Sequence, residues 1–261
     1  VLIYFINNLC LFIKYQNKVI FYIFTILFYF PGKHLTTCNR NSPDVNDCLV
    51  DAVQSGLAVM ANGIEEWGVP PVDPYLQKEL KVEHKRNLIK AKMVMKDILV
   101  SGLKGSTVKD ARLKADDDHF SLEIKMFTPR VFVSGTYHGE GKYNALRIDA
   151  LGDFNSTMST YNIKNLTKPT STQIRDGKTH MRIYSFYMSP DVGTMKSYIS
   201  NENPDSQPWS KSNINFANDN WRILYREMLP YAQANWNKTG IKIANKLFLQ
   251  IPYEQLFPDK S

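Results

Sequence analysis

"NDNWRILYREMLPYAQANWNKTGIKIANKLFLQIP", Asn218 to Pro252, sets Trp221, Leu224, Met228, Ala232, Trp236, Ile243, Leu247 and Ile251 mostly three and four residues apart. That spacing predicts one amphipathic helix, with Asp219 at its cap and Pro252 beyond its end. Pro230 predicts a kink and Gly240 a soft point. Even so, at about 1.5 Å per residue the element is tens of ångströms long. A coiled coil is disfavoured, because the apolar pattern drifts and no second heptad helix accompanies it. A single long helix with an apolar face needs a sheet to close over it.

The sheet is expected upstream, where apolar residues alternate from about Leu80 to about Ser200. In "SLEIKMF" Leu122, Ile124 and Met126 share a face, and in "VFVSGTY" Val131, Val133 and Tyr137 do. In "HMRIYSFYM" the shared face is either Met181 and Ile183 or Tyr184, Phe186 and Met188. "ADDDH", "TPR", "HGEGK" and "RDGK" read as turns, so these runs predict antiparallel meander strands with one covered and one wet face. Several run roughly 8 to 12 residues against the usual 5 or 6, which predicts a strongly curved sheet.

Ahead of the strands, "SPDVNDCLVDAVQSGLAVMANGIEEWG" puts Leu49, Val53, Leu57, Met60 and Ile64 on one helical face. Ser42 or Asp44 is the expected cap and Gly68 the stop. "GVPPVDPYL", Gly68 to Leu76, then holds three prolines. Proline fixes φ and removes a donor, so this segment neither continues the helix nor sits inside a ladder. It is a stiff connector that aims the chain at the first long strand.

The N-terminal region is different in kind. Lys18 precedes a run from Val19 to Phe30 that is apolar except for Thr25, followed by Pro31 and Gly32. A twelve-residue, largely apolar run with a basic flank resembles a secretory h-region and falls short of the roughly 20 a spanning helix needs. Residues 1–32 are therefore expected to be a signal peptide or a mis-extended N-terminus, the first Met being Met60, and residues 33–261 one domain. Cys38 and Cys48 bracket "NRNSPDVND", which is able to turn back and close a disulfide; two free thiols are the alternative. Asn155, Asn165 and Asn237 each head an N-x-T sequon. Together these features predict an extracellular, secreted protein. A membrane enters only if the N-terminal run is retained.

The 32 basic and 25 acidic residues give a net charge of +7 without a long Lys/Arg run, so the clustered footprint of a nucleic-acid binder is missing. An enzyme is not indicated either. No G-x-S-x-G elbow, H-E-x-x-H helix, P-loop or Rossmann fingerprint occurs, so no catalytic residue is assigned. "HGEGK" sits between two alternating runs and reads as a hairpin, and "DDDH", Asp116 to His119, reads as a solvated turn. His34, His84, His119, His138 and His180 share no metal-ligand spacing, so no metal or cofactor is expected. What the sequence offers instead is apolar and aromatic material: four Trp, 14 Tyr, 14 Phe and nine Met. On a curved sheet beside a long helix, these residues fit either a cavity or a solid core.

An ordered set of short motifs resembles the insect Takeout and haemolymph juvenile hormone binding proteins. It runs from about Cys38 to about Pro258: the pair Cys38 and Cys48, "GVPPVDP", "VSGLKGSTV", "GTYHGEGKY" followed by "GDF", "NDNWRILYREMLP" and "IPYEQLFP". The resemblance implies an α+β fold of the α/β-wrap type, a long curved antiparallel sheet wrapped around the long C-terminal helix and enclosing an apolar tunnel. It also implies a secreted carrier that sequesters a small lipophilic ligand, terpenoid-like or fatty-acid-like, without chemistry. A membrane-tethered interaction protein anchored by the N-terminal segment is the alternative. Hormone-binding members carry a second disulfide, and with only Cys38 and Cys48 in the mature chain this sequence is closer to the Takeout-like branch. The oligomeric state is not set by the sequence. The ligand-lining candidates rest on face and apolarity: Trp221, Leu224, Met228 and Trp236 on the helix, and Met126, Phe132, Val133, Tyr137 and Leu146 on strands, with the Tyr137 hydroxyl available to a head group.

Overall fold

The computed structural model describes residues 35–86, 89–115, 120–143, 146–203, 215 and 217–259; at 84–86, 89–91, 142–143, 146–148, 160–162 and 164–172 the backbone alone is described. Contacts divide the chain into residues 1–36 and 37–261, and the second unit carries the fold. Alternation does become sheet. The strands are β1 (Tyr75–Arg86), β2 (Ile89–Ser101), β3 (Thr107–Ala115), β4 (Phe120–Tyr143), β5 (Leu146–Arg175) and β6 (Lys178–Ile199). All pairings are antiparallel, in the order β1-β2-β4-β5-β6, with β3 also on β4.

β1, β2 and β3, at 12, 13 and 9 residues, have about the expected length, whereas the other three are far longer: 24 residues in β4, 30 in β5 and 22 in β6. Two expected turns are not turns. "HGEGK" is paired throughout, His138 to Leu151 and Lys142 to Arg147. "TPR" lies inside β4, where its edge partner changes: Phe127 pairs with Thr107 of β3, and Phe132 with Ser101 of β2. Pro129 falls in that gap, where a missing N–H costs no ladder bond. "RDGK" does turn, with φ of 52° at Asp176 and 72° at Gly177, as a two-residue D-G hairpin requires. "DDDH" lies outside the described residues. The buried face of β4 also changes phase, from Phe120, Leu122 and Thr128 to Val131, so one inward set does not persist along so long a strand.

Helix α1 (Val45–Ala61) ends seven residues before the expected stop. Gly63, at φ 79°, turns the chain, and Ile64 bridges Val69 around a 3-10 turn of Glu65–Trp67. The proline connector follows and is anchored at its far end by Asp73. That buried carboxylate accepts the N–H groups of Gly102 and Lys104 in the β2–β3 turn. Gly102 has φ 102°, and a Cβ there would overlap the Arg130 carbonyl, so the motifs "GVPPVDP" and "VSGLKGSTV" meet at a position only glycine fits.

The long C-terminal helix is α2 (Trp221–Phe248), with Pro230 inside it, and a single turn α3 (Tyr253–Leu256) follows. The architecture is an α+β wrap: a large open antiparallel sheet, not a barrel, with α2 laid along β6. Cys38 and Cys48 are disulfide-bonded. That bond sits in a core cluster of Cys38, Leu49, Ala111, Phe120, Leu122, Met181, Ile183 and Phe257, against which Ile241, Ala244 and Phe248 of α2 pack. A second cluster centres on Val131, Ile163 and Val192, with Trp221 and Tyr225 of α2 against it.

The helix is therefore rotated from the expected face. Its sheet-facing seam carries Trp221, Tyr225, Ile241, Ala244 and Phe248 together with amides, while Leu224 and Met228 are each 37% exposed. The apolar count missed this because the seam is partly polar. Asn218 binds both backbone groups of Ser197, Asn245 both of Ile183, Asn237 accepts from the Phe186 N–H, and Gln233 donates to the Met188 carbonyl. These amides take the place of a missing strand on the outer edge of β6. On β3, Asn46 and Gln54 of α1 do the same for Leu113, Ser106 and Val108.

Candidate ligand cavity

Where β2, β4, β5 and β6 lie side by side, their inner face lines a cleft of ≈ 350 Å³. Register explains its composition. Met95 pairs with Tyr137, Phe154 with Ile199, and Ser156 with Ser197, so alternate residues of four strands reach the same space. Met93 and Ala150 extend it along β2 and β5. A volume of this size lies at the lower end of the range for small-molecule sites.

Its polar groups are already engaged. The Ser156 and Ser197 hydroxyls bond each other at 2.7 Å. The Tyr137 hydroxyl donates to the Ser200 carbonyl at 2.8 Å, and Ser200 Oγ accepts the Asp153 N–H at 2.7 Å. Burial raises the Tyr137 pKa, so the phenol stays neutral across the physiological range. Such a surface offers dispersion and apolar burial, with its hydroxyls held in place rather than seeking a partner. A ≈ 630 Å³ cleft on the opposite face is different in character, carrying Glu79, Lys81, Lys96, His138, Asp153 and Glu202.

The inner apolar face does not stop at the cleft. Two residues beyond Ser156 and Ser197 on the same faces of their strands are Met158 and Met195, which enter the second core cluster with Met126, Val133 and Met188. Sulfur-bearing, unbranched side chains adapt to irregular shapes, so this stretch is suited to repacking around a guest.

Of the residues expected to line a ligand site, Tyr137 borders the cleft, and Met126, Val133 and Trp221 lie in the adjoining cluster. Phe132 is on the other face, 45% exposed, because alternation forbids it from sharing a side with Val133. Leu224 and Met228 face away for the reason given above. Trp236 is half-buried and belongs to neither cluster. The Leu146 and Asn165 side chains lie outside the description. Met93, Met95, Phe154 and Ile199 were missed; the alternation of "KMVMK" was the available signal for the first two. Among the described residues no group of three or more His, Cys, Asp or Glu is arranged to hold a metal ion, and no helix is long and apolar enough to cross a membrane.

A long helix closing the edge of an open, strongly extended antiparallel sheet, with an apolar cleft on the sheet's inner face, defines the α+β wrap class. The particular family follows from the sequence itself: residues 20–258 match the family model of haemolymph juvenile hormone binding protein, and the chain belongs to that family. It is a family of carriers for small lipophilic ligands. Among solved structures the chain is similar to the crystal structure of Epiphyas postvittana Takeout 1, with TM-score 0.70 and 17% identity over 86% of this chain and 100% of that one. A crystal structure of lipopolysaccharide binding protein aligns at TM-score 0.31 and 12% identity, over 74% of this chain and 39% of that one. A comparison with curated proteins finds no match.

Proposed function

We propose that this protein is an exported carrier that takes up a small lipophilic molecule at the inner face of its sheet and holds it without chemical change. The observation that carries the reading is the continuity of that face, from Met93 and Met95 through Phe154 and Ile199 to Met158 and Met195. A guest leaving water for this surface gains about 25 cal/mol per Å² of apolar area buried. The helix supports the same reading: its amides pin the β6 edge while the methionine cluster beside it remains free to repack. Export is supported by the disulfide, which persists in oxidising compartments, and by the apolar run after Lys18.

The test is native mass spectrometry of the protein recovered from a eukaryotic secretory host, followed by organic extraction of whatever travels with it. A stoichiometric lipophilic passenger is the expected result. A clean apo mass that also ignores added terpenoids and long-chain fatty acids overturns the carrier reading.

A further inference from the structure

The outer face of the sheet presents a row of exposed side chains that is apolar at both ends and polar at its centre, with Phe132 beside it. Register sets Leu76 beside Leu99, Leu99 beside Ser134, Ser134 beside Asn155 and Asn155 beside Tyr198. Phe132 stands two residues from Ser134 on the same face. Leu76 is 51% exposed, Leu99 40% and Tyr198 55%. The Arg130 guanidinium lies 5.9 Å from the Phe132 ring centre and covers part of that ring only. From β2 to β6 this is three inter-strand steps, about 14 Å. Apolar side chains gathered in this way on an outer surface normally have something that covers them.

Asn155 stands in the middle of that row, and it heads the sequon Asn155-Ser156-Thr157. It is exposed, and its side-chain amide has no hydrogen bond among the described residues. Thr157, two residues on, shares its face and is the register partner of Phe132. Asn237 differs: its side-chain oxygen already serves the β6 edge through the Phe186 N–H. We infer that Asn155 carries an N-linked glycan whose first sugars lie over Tyr198, Phe132 and Leu99 and form the missing cover. The cross-strand partner Tyr198 is close enough, at about 5 Å between Cβ positions, for its ring to meet the apolar face of the first sugar.

The inference rests on export, because the donor is a polyisoprenyl-diphosphate oligosaccharide of the secretory compartment. Asn155 Nδ2 bonds to C1 of the first sugar, the C1–O bond to the diphosphate breaks, the polyisoprenyl diphosphate leaves with that electron pair, and one amide proton is released. Carbohydrate is hydrated on its outer side, so the row becomes dry beneath and wet above.

The experiment expresses the full chain behind a cleavable secretory leader in a eukaryotic host, so that entry into the compartment does not depend on the native N-terminus. Peptide mapping reads occupancy at Asn155, and Asn155→Gln and Thr157→Ala each remove one glycan's mass. Enzymatic deglycosylation of the folded protein is expected to raise binding of a hydrophobic fluorescent dye by roughly twofold or more, and Phe132→Ser to abolish most of that rise. An unmodified Asn155 in exported protein overturns the inference. So does a dye response that deglycosylation leaves unchanged, or a glycosylated protein that is already dimeric through this face. Organic extraction of the same sample tests the carrier reading separately: a passenger with a bare Asn155 sinks only the glycan, and an occupied Asn155 with no passenger sinks only the carrier.

Discussion

Asn245 accepts the backbone N–H of Ile183 at 2.7 Å and donates to the carbonyl of the same residue at 2.8 Å. A side-chain amide has the donor and acceptor geometry of a peptide group, so one helical residue completes one rung of a sheet. Ile183 is buried in the first core cluster, where water is a poor substitute.

Asn245→Ala leaves both groups of Ile183 without that partner, and the expected loss is about 1–3 kcal/mol. Asn237→Ala, which strands a single N–H nearer the surface, is expected to cost less. Urea denaturation of both variants reads the difference. A loss below about 0.5 kcal/mol for Asn245→Ala would show that the edge does not depend on the amide.

At Gly240 two effects oppose each other. Alanine is worth up to ~1 kcal/mol over glycine in a helix interior. A Cβ at this position, however, overlaps the Phe186 ring, which β6 holds against the helix. The overlap is expected to win, so Gly240→Ala lowers the thermal midpoint, with a cost of about 1–3 kcal/mol. Phe186→Leu in the same background restores part of it. Independent, additive effects of the two substitutions would disprove the contact.

Reduction of the Cys38–Cys48 disulfide frees a short loop, and chain entropy puts the loss at about 3 kcal/mol. The bond belongs to the cluster under α1 and α3, whereas the cleft is lined from the other end of the sheet. Cys38→Ser/Cys48→Ser is therefore expected to lower stability in urea while leaving the affinity of the folded protein for an apolar probe within about twofold. A loss of affinity in parallel with stability would join the two regions.

Tyr225 is pushed up to about 12, first by desolvation and then by the neighbouring Asp191 charge, from an ordinary value of 10.0. Its hydroxyl donates to the Pro190 carbonyl at 3.2 Å. Below pH 10 both the folded and unfolded states hold the proton, so its contribution is fully present there. As pH rises toward 12 the unfolded chain ionises first and stability falls. The urea midpoint measured from pH 9 to 12 should drop less in Tyr225→Phe than in the parent. Parallel curves would remove Tyr225 from the alkaline transition.

The long helix and the "RDGK" hairpin were legible in the sequence because each is a local signal, a period or a turn dipeptide. The helix face was not. Counting apolar residues selects Leu224 and Met228, whereas the seam is chosen by what β6 needs, and an exposed strand edge needs amides as much as hydrocarbon. Spacing of Asn218, Asn237 and Asn245 held that information, but only once an edge was known to run beside them. Strand length failed for a related reason: Pro129 and the glycines of "HGEGK" look like breaks, and only the change of partner from β3 to β2 shows why a proline is tolerated there. The cleft depends on register across four strands, which no short window encodes.

The cleft itself gives the last test. Ala150 lines it without contributing a polar group, so Ala150→Phe fills the space with hydrocarbon and removes neither partner of the Ser156–Ser197 and Tyr137–Ser200 bonds. Affinity for a neutral apolar fluorescent probe is expected to fall by about tenfold or more, equivalent to about 1.4 kcal/mol. In the glycosylated protein, Phe132→Ala on the covered outer face should leave probe affinity unchanged. These two variants separate the faces of the sheet. If Phe132→Ala weakens the probe and Ala150→Phe does not, the ligand binds on the outer face and the inner cleft is only a packing defect.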